Sequence, residues 1–105
     1  MSEFCLVLCT CPDMDSARRI AQCAVEQRLA ACVNIIPGLE SVYQWQGKVQ
    51  TDNEVQLVSK TYKPKLEALY TLVSGLHPYD EPEWLVLDIT GGSPTYLDWI
   101  KSSTT

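Results

Sequence analysis

The sequence predicts an α+β domain, one antiparallel sheet with helices packed on it, and three patterns point to it. From Leu29 to Thr61 the chain reads as two long strands folded back at a single turn. On the outward leg Leu39, Tyr43 and Trp45 share one parity while Glu40 and Gln44 share the other, the period-2 alternation of a half-buried strand. Two stretches with helical spacing flank this hairpin, and short apolar runs near the two ends of the chain supply two further strands.

In chain order, Phe4 to Thr10 is continuously apolar or small, as expected of a central strand covered on both faces. Pro12 ends it. Asp13 or Asp15 can cap a first helix in which Ala17, Ile20, Ala21, Ala24 and Val25 form one stripe, and which is expected to end near Leu29. The hairpin follows, with its tip at Gly47, because glycine enters φ > 0 without a Cβ penalty. Val49, Val55 and Leu57 carry the alternation on the return leg, and Pro37-Gly38 predicts a bulge in the outward one. Pro64 suits the first turn of a second helix with the stripe Leu66, Leu69, Tyr70, Val73 and Leu76. His77-Pro78 stops it, since the residue before proline avoids the α region.

A stiff acidic loop, His77 to Glu83, leads into a strand from Trp84 to Ile89. After Gly91-Gly92, Ser93 caps a terminal helix with Pro94 at its first position and Tyr96, Leu97, Trp99 and Ile100 as anchors. The order is therefore β-α-β-β-α-β plus a short C-terminal helix, the ferredoxin-like arrangement, in a single domain over residues 1–105. In this topology the end of the first strand, the start of the first helix and the loop at His77 meet at one end.

The hairpin is long for such a domain. A leg from Cys32 to Gln46 extends roughly 50 Å at about 3.3 Å per residue, against a radius of gyration of about 13 Å for a compact chain of this size. Unless the Pro37-Gly38 bend folds the far half back over the core, the tip overhangs its own domain. An overhanging ribbon with Tyr43 and Trp45 favours pairing with another chain, so a homo-oligomer is expected.

Composition narrows the function classes. A formal net charge of −5 over 105 residues argues against nucleic-acid and anionic-membrane partners, which need a basic surface to displace counterions. Met1-Ser2-Glu3 leads straight into a short apolar run with no basic segment before it, which reads as neither a signal peptide nor a membrane span and so as a cytoplasmic protein. The five cysteines, Cys5, Cys9, Cys11, Cys23 and Cys32, are an odd number in such a chain and are expected to be reduced thiols.

Cys9 and Cys11 stand two apart on an extended segment, so both thiols face one way. His77, the single histidine, is brought to the same end by the topology. Thiolate and imidazole suit copper or zinc, Cu(I) where sulfur dominates. The plainer reading makes Cys9 a small buried hydrophobe and His77 a cap on the carbonyls of the second helix. Cys9 with His77 can also be read as nucleophile and base, though no third orienting group accompanies them. Asp80, Glu81 and Glu83, with Asp13 and Asp15, could hold a hard divalent cation, act as acid and base, or simply form a solvated loop. Gly91-Gly92-Ser93 could bind an anion or serve as a plain turn and cap. The three tryptophans could stack a ligand, but the plainer reading makes Trp84 and Trp99 core residues and Trp45 an oligomer contact.

Several segments together resemble the CutA family of divalent-cation tolerance proteins: LCTCPD from Leu8, RLAACVNIIPGLESVYQWQGKVQ from Arg28, EVQLVSKT from Glu54, LHPYDEPE from Leu76 and YLDWI from Tyr96. The resemblance covers almost the whole chain. It implies a ferredoxin-like subunit in a PII-like homotrimer with neighbouring hairpins paired, metal ions as partners, and no catalysis. It also implies copper or another divalent cation at a site that falls here on Cys9 and His77. Leu76 stands where some relatives carry a second histidine, which removes a ligand, and Cys11 is the candidate to replace it. A second reading keeps the PII-like architecture but makes the protein a signalling module binding a small molecule in an intersubunit cleft. Basic residues lining that cleft would mark a phosphorylated ligand, the candidates being Arg18, Arg19, Arg28, Lys60, Lys63 and Lys65.

Overall fold

The computed structural model describes residues 3–105, and Met1 and Ser2, which open the stretch read above as leaderless, lie outside the described residues. Four strands and three helices follow in the expected order: β1 (Phe4–Cys11), α1 (Met14–Glu26), β2 (Cys32–Trp45), β3 (Lys48–Tyr62), α2 (Leu66–Leu76), β4 (Leu85–Asp88) and α3 (Pro94–Ser103). One turn of 3₁₀ helix, Lys63–Lys65, carries Pro64 into α2. The strands form one antiparallel sheet in the order β2-β3-β1-β4.

Strand parity decides where the core sits. Cys5, Val7, Cys9 and Cys11 of β1 are buried, as are Val55, Leu57, Ser59 and Thr61 of β3. This face packs against Ala17, Ile20 and Ala24 of α1 and Leu69 and Val73 of α2. The opposite face of β1 is only half-buried, so the expectation of full cover on both sides is met on one. α3 reaches that other face at the end of β3. Lys60 Nζ donates to the Tyr96 hydroxyl at 3.4 Å, and the Lys101 ammonium lies 5.5 Å from the centre of the Tyr62 ring.

α1 begins at its expected cap, with the Asp13 side chain accepting from the Ser16 amide at 2.7 Å. It stops at Glu26, short of Leu29, because Arg28 takes the left-handed conformation at φ 59°. The Arg28 amide donates to the Val25 carbonyl and the Leu29 amide to the Ala24 carbonyl, which is the Schellman closure of a helix end. Val25, at the margin of the apolar stripe, is exposed.

The hairpin is one continuous ribbon. β2 and β3 pair from Cys32↔Lys60 out to Trp45↔Lys48, with a register shift between Ile36 and Leu39 where Pro37-Gly38 sits. Gln46 and Gly47 both have positive φ, 52° and 79°, as a two-residue hairpin turn requires. The bulge does not fold the far half back: Val42, Trp45 and Val49 are exposed, and the molecule measures 45 × 25 × 23 Å. β4 covers only Leu85–Asp88 and lies exposed, and Trp99, expected in the core, is 43% exposed. Trp84 packs edge-on against Tyr70 with ring centres 5.1 Å apart.

Candidate metal centre and the cleft beside it

β4 pairs with β1 only from Cys5 to Leu8. The last three residues of β1 are left without a strand neighbour on that side, and the loop after α2 fills the gap. His77 N–H closes α2 onto the Val73 carbonyl at 2.8 Å, and its backbone then turns extended. The ring reaches β1, where Nε2 lies 2.7 Å from the Thr10 carbonyl oxygen. The Tyr79 amide donates to Nδ1 at 3.0 Å. An amide can only donate, so Nδ1 carries the lone pair and Nε2–H donates to Thr10. The side chain therefore ties the loop to β1 and does not cap the carbonyls of α2.

Cys9, Cys11 and His77 come together as the strand parity and topology imply. One donor atom from each lies within 4.8 Å of the other two, and all three residues are buried. The two thiols perturb each other. Cys9 is pushed up, first by its hydrogen bond to Cys11 and then by burial, while Cys11 is lowered because it accepts that bond. Two thiols and an imidazole at this separation suit a soft or borderline ion, since tetrahedral sulfurs about 2.3 Å from a metal sit about 3.8 Å apart. A nucleophile and base would need a free ring nitrogen facing the thiol, and both nitrogens of His77 are engaged.

The expected acidic residues go elsewhere. Asp13 caps α1, and its carboxyl is held below the usual range by the Ser16 amide. Ser93 accepts from the Tyr96 amide at 3.3 Å, a plain helix cap. Asp80, Glu81 and Glu83 line a cleft of about 590 Å³ together with Thr10, Tyr43, Trp45, Glu54, Pro78 and Tyr79. Its floor is the face of the ribbon opposite to the cysteines and its wall is the 78–83 loop. The Tyr79 hydroxyl donates to Glu54 at 3.0 Å, the Tyr43 hydroxyl to Asp52, and the Gln56 amide bridges the Cys9 carbonyl at 3.0 Å and Glu83 at 3.3 Å. Gln56 and Glu54 escaped the sequence reading, because only the β1–β3 register brings them here. Their parity on β3 was the available signal.

A family model described as CutA1 divalent ion tolerance protein matches residues 5–103. The chain belongs to the CutA1 family. It is 48% identical over 99 residues to the divalent-cation tolerance protein CutA of Thermus thermophilus, with 94% of this chain and 96% of that one covered. It is 50% identical over 99 residues to the chloroplastic protein CutA of Arabidopsis thaliana, covering 94% of this chain but spanning only about half, 54%, of that longer relative. The crystal structure of CutA from Xylella fastidiosa superposes with a TM-score of 0.96 at 42% identity, over 99% of this chain and 100% of that chain. The CutA1 fold thus accounts for the ferredoxin-like order and the long ribbon. The basic residues that a PII-like phosphate cleft would use do not line this one. Arg19 donates to the Leu76 carbonyl, Arg28 to α3, Lys60 to Tyr96, and Lys63 pairs with Asp88 at 2.6 Å.

Proposed function

We propose that this member of the CutA1 family is a non-enzymatic metal-binding protein of divalent-cation tolerance, assembled as a homotrimer in the cytoplasm. Copper or another borderline-to-soft cation is taken by Cys9, Cys11 and His77. The observation that carries this reading is the meeting of the three donor atoms within 4.8 Å, from two elements 66 residues apart in the chain. Leu76, in place of a second histidine, packs its side chain against the core, so Cys11 is the third ligand. The ring of His77 must release one of its two hydrogen bonds to hold an ion, a loss of about 1 kcal/mol that a metal–nitrogen bond outweighs. Two thiols lose their protons on uptake, so the cation also compensates the charge of a buried site. The odd count of five cysteines, unsuited to a complete disulfide framework, is the ground for the cytoplasmic assignment.

Native mass spectrometry of the reduced protein with stoichiometric copper tests the reading. One ion per chain is expected, lost in Cys9→Ala, in Cys11→Ala and in His77→Gln, and weakened on acidification as the thiols reprotonate. Uptake that persists in all three variants overturns the site.

A further inference from the structure

The cleft between the ribbon and the 78–83 loop is a second binding feature, on the sheet face opposite to the cysteine cluster. Its lining combines three aromatic rings, Tyr43, Trp45 and Tyr79, with four carboxylates, Glu54, Asp80, Glu81 and Glu83, and includes no lysine or arginine among the described residues. The four acids are not equivalent. Glu54 accepts from the Tyr79 hydroxyl and Glu83 from the Gln56 amide, so both are held by the protein. Asp80 and Glu81 are exposed at the mouth and have no hydrogen bond or ion pair among the described residues.

We propose that this cleft binds a small organic cation, an aliphatic ammonium compound. The electron-rich faces of the rings attract an ammonium group and its polarised methylenes. The apolar walls take the alkyl stem, and Asp80 and Glu81 supply the charge at the mouth. A phosphorylated or carboxylate ligand meets four negative groups and no positive one. A hard dication needs six to eight oxygens converging at about 2.3–2.6 Å, whereas two of these carboxylates are already occupied and the rest of the lining is largely ring and methylene. The volume of about 590 Å³ is that of a site for a flexible small molecule. Because Trp45 stands on the overhanging ribbon, the proposed trimer would set the cleft near a subunit boundary, so the test uses the protein as it assembles.

Calorimetric titration with spermidine at near-physiological salt reads the site. Saturable binding is expected, weakened at least fivefold in the double variant Asp80→Asn/Glu81→Gln and at least threefold in Tyr43→Leu. The double variant Glu26→Gln/Glu67→Gln removes the same charge from exposed helical positions outside the cleft, and it should bind as the wild type does. Equal weakening in the two charge-matched variants would show general attraction to an acidic surface, and absence of saturable binding up to millimolar spermidine would show no site. Either result overturns the proposal. The metal reading is unaffected by both, since Cys9, Cys11 and His77 are unchanged in every variant used.

Discussion

His77 holds Thr10 with one ring nitrogen and receives the Tyr79 amide on the other, and two residues on, the Tyr79 side chain is anchored to β3. The Tyr79 phenol is pushed up to about 12 by burial and, after that, by its hydrogen bond to Glu54. The folded state therefore prefers the neutral phenol. The stability this contributes is present in full below the ordinary tyrosine value near 10 and is lost as pH rises through about 12. Ultraviolet difference titration should show a tyrosinate component near pH 12 that Tyr79→Phe removes; if the component that disappears titrates near pH 10, the contact with Glu54 is not made in solution. At this scale the sequence told half the story. Parity placed Cys9 and Cys11 on one face and topology brought His77 to them. Parity on β3 put Glu54 and Gln56 on the face away from the cysteines, but which residues they meet there is set by cross-strand register, a property of the paired strands that neither strand shows alone.

Among the elements, the end of α1 is where local signals misled. The apolar stripe continues through Val25 to Leu29, yet the helix closes at Glu26 in a Schellman turn with arginine, not glycine, in the left-handed position. No glycine marks the stop, and the reason lies 74 residues away. Arg28 Nη2 donates to the Ser102 carbonyl at 2.6 Å and Nε to the Thr105 carbonyl at 3.1 Å, placing a cation on the C-terminal carbonyls of α3, where the helix dipole favours it. Arg28→Ala keeps the strained backbone and loses this latch. Arg28→Gly loses the latch but relieves the strain, which for an L-residue is about 1 kcal/mol. The glycine variant should therefore be the more stable of the two by about that amount, with both below wild type, in urea unfolding at one fixed protein concentration. An alanine variant as stable as wild type would show that the latch contributes nothing. By contrast the hairpin's bulge and turn were legible, because Pro37-Gly38 marks the one and Gly47 the other, whereas the half-buried alternation expected of its far half is replaced by exposure on both faces. β4 was legible as a strand, but its exposure was not.

That exposure belongs to the molecule as a whole. The outer strands of the sheet, β2 and β4, each have one free edge among the described residues, and each shows apolar side chains to solvent: Val42 at 65% on the ribbon, Leu85 at 52% on β4, with Trp99 of α3 at 43%. A helix could not bury the ribbon from within the same chain, since it overhangs a body only 25 × 23 Å in cross-section. Unpaired edges with apolar faces associate. Because the two edges of the sheet differ, joining one to the other is a head-to-tail contact, which closes into a ring when the rotation permits. The apolar runs read as core in the sequence are, on this view, core of the assembly. Wild-type protein should sediment at three times the chain mass of 11.8 kDa, and Val42→Lys/Val49→Lys, which charges the ribbon away from both the cysteine cluster and the cleft, should shift it toward the single chain. The variant's melting temperature should then lose the dependence on protein concentration that an assembling wild type shows. Wild-type protein that sediments as a single chain at micromolar concentration would leave the ribbon's exposed faces without a partner of their own kind and sink the trimer, while leaving the metal cluster, built within one chain, to stand on its own test.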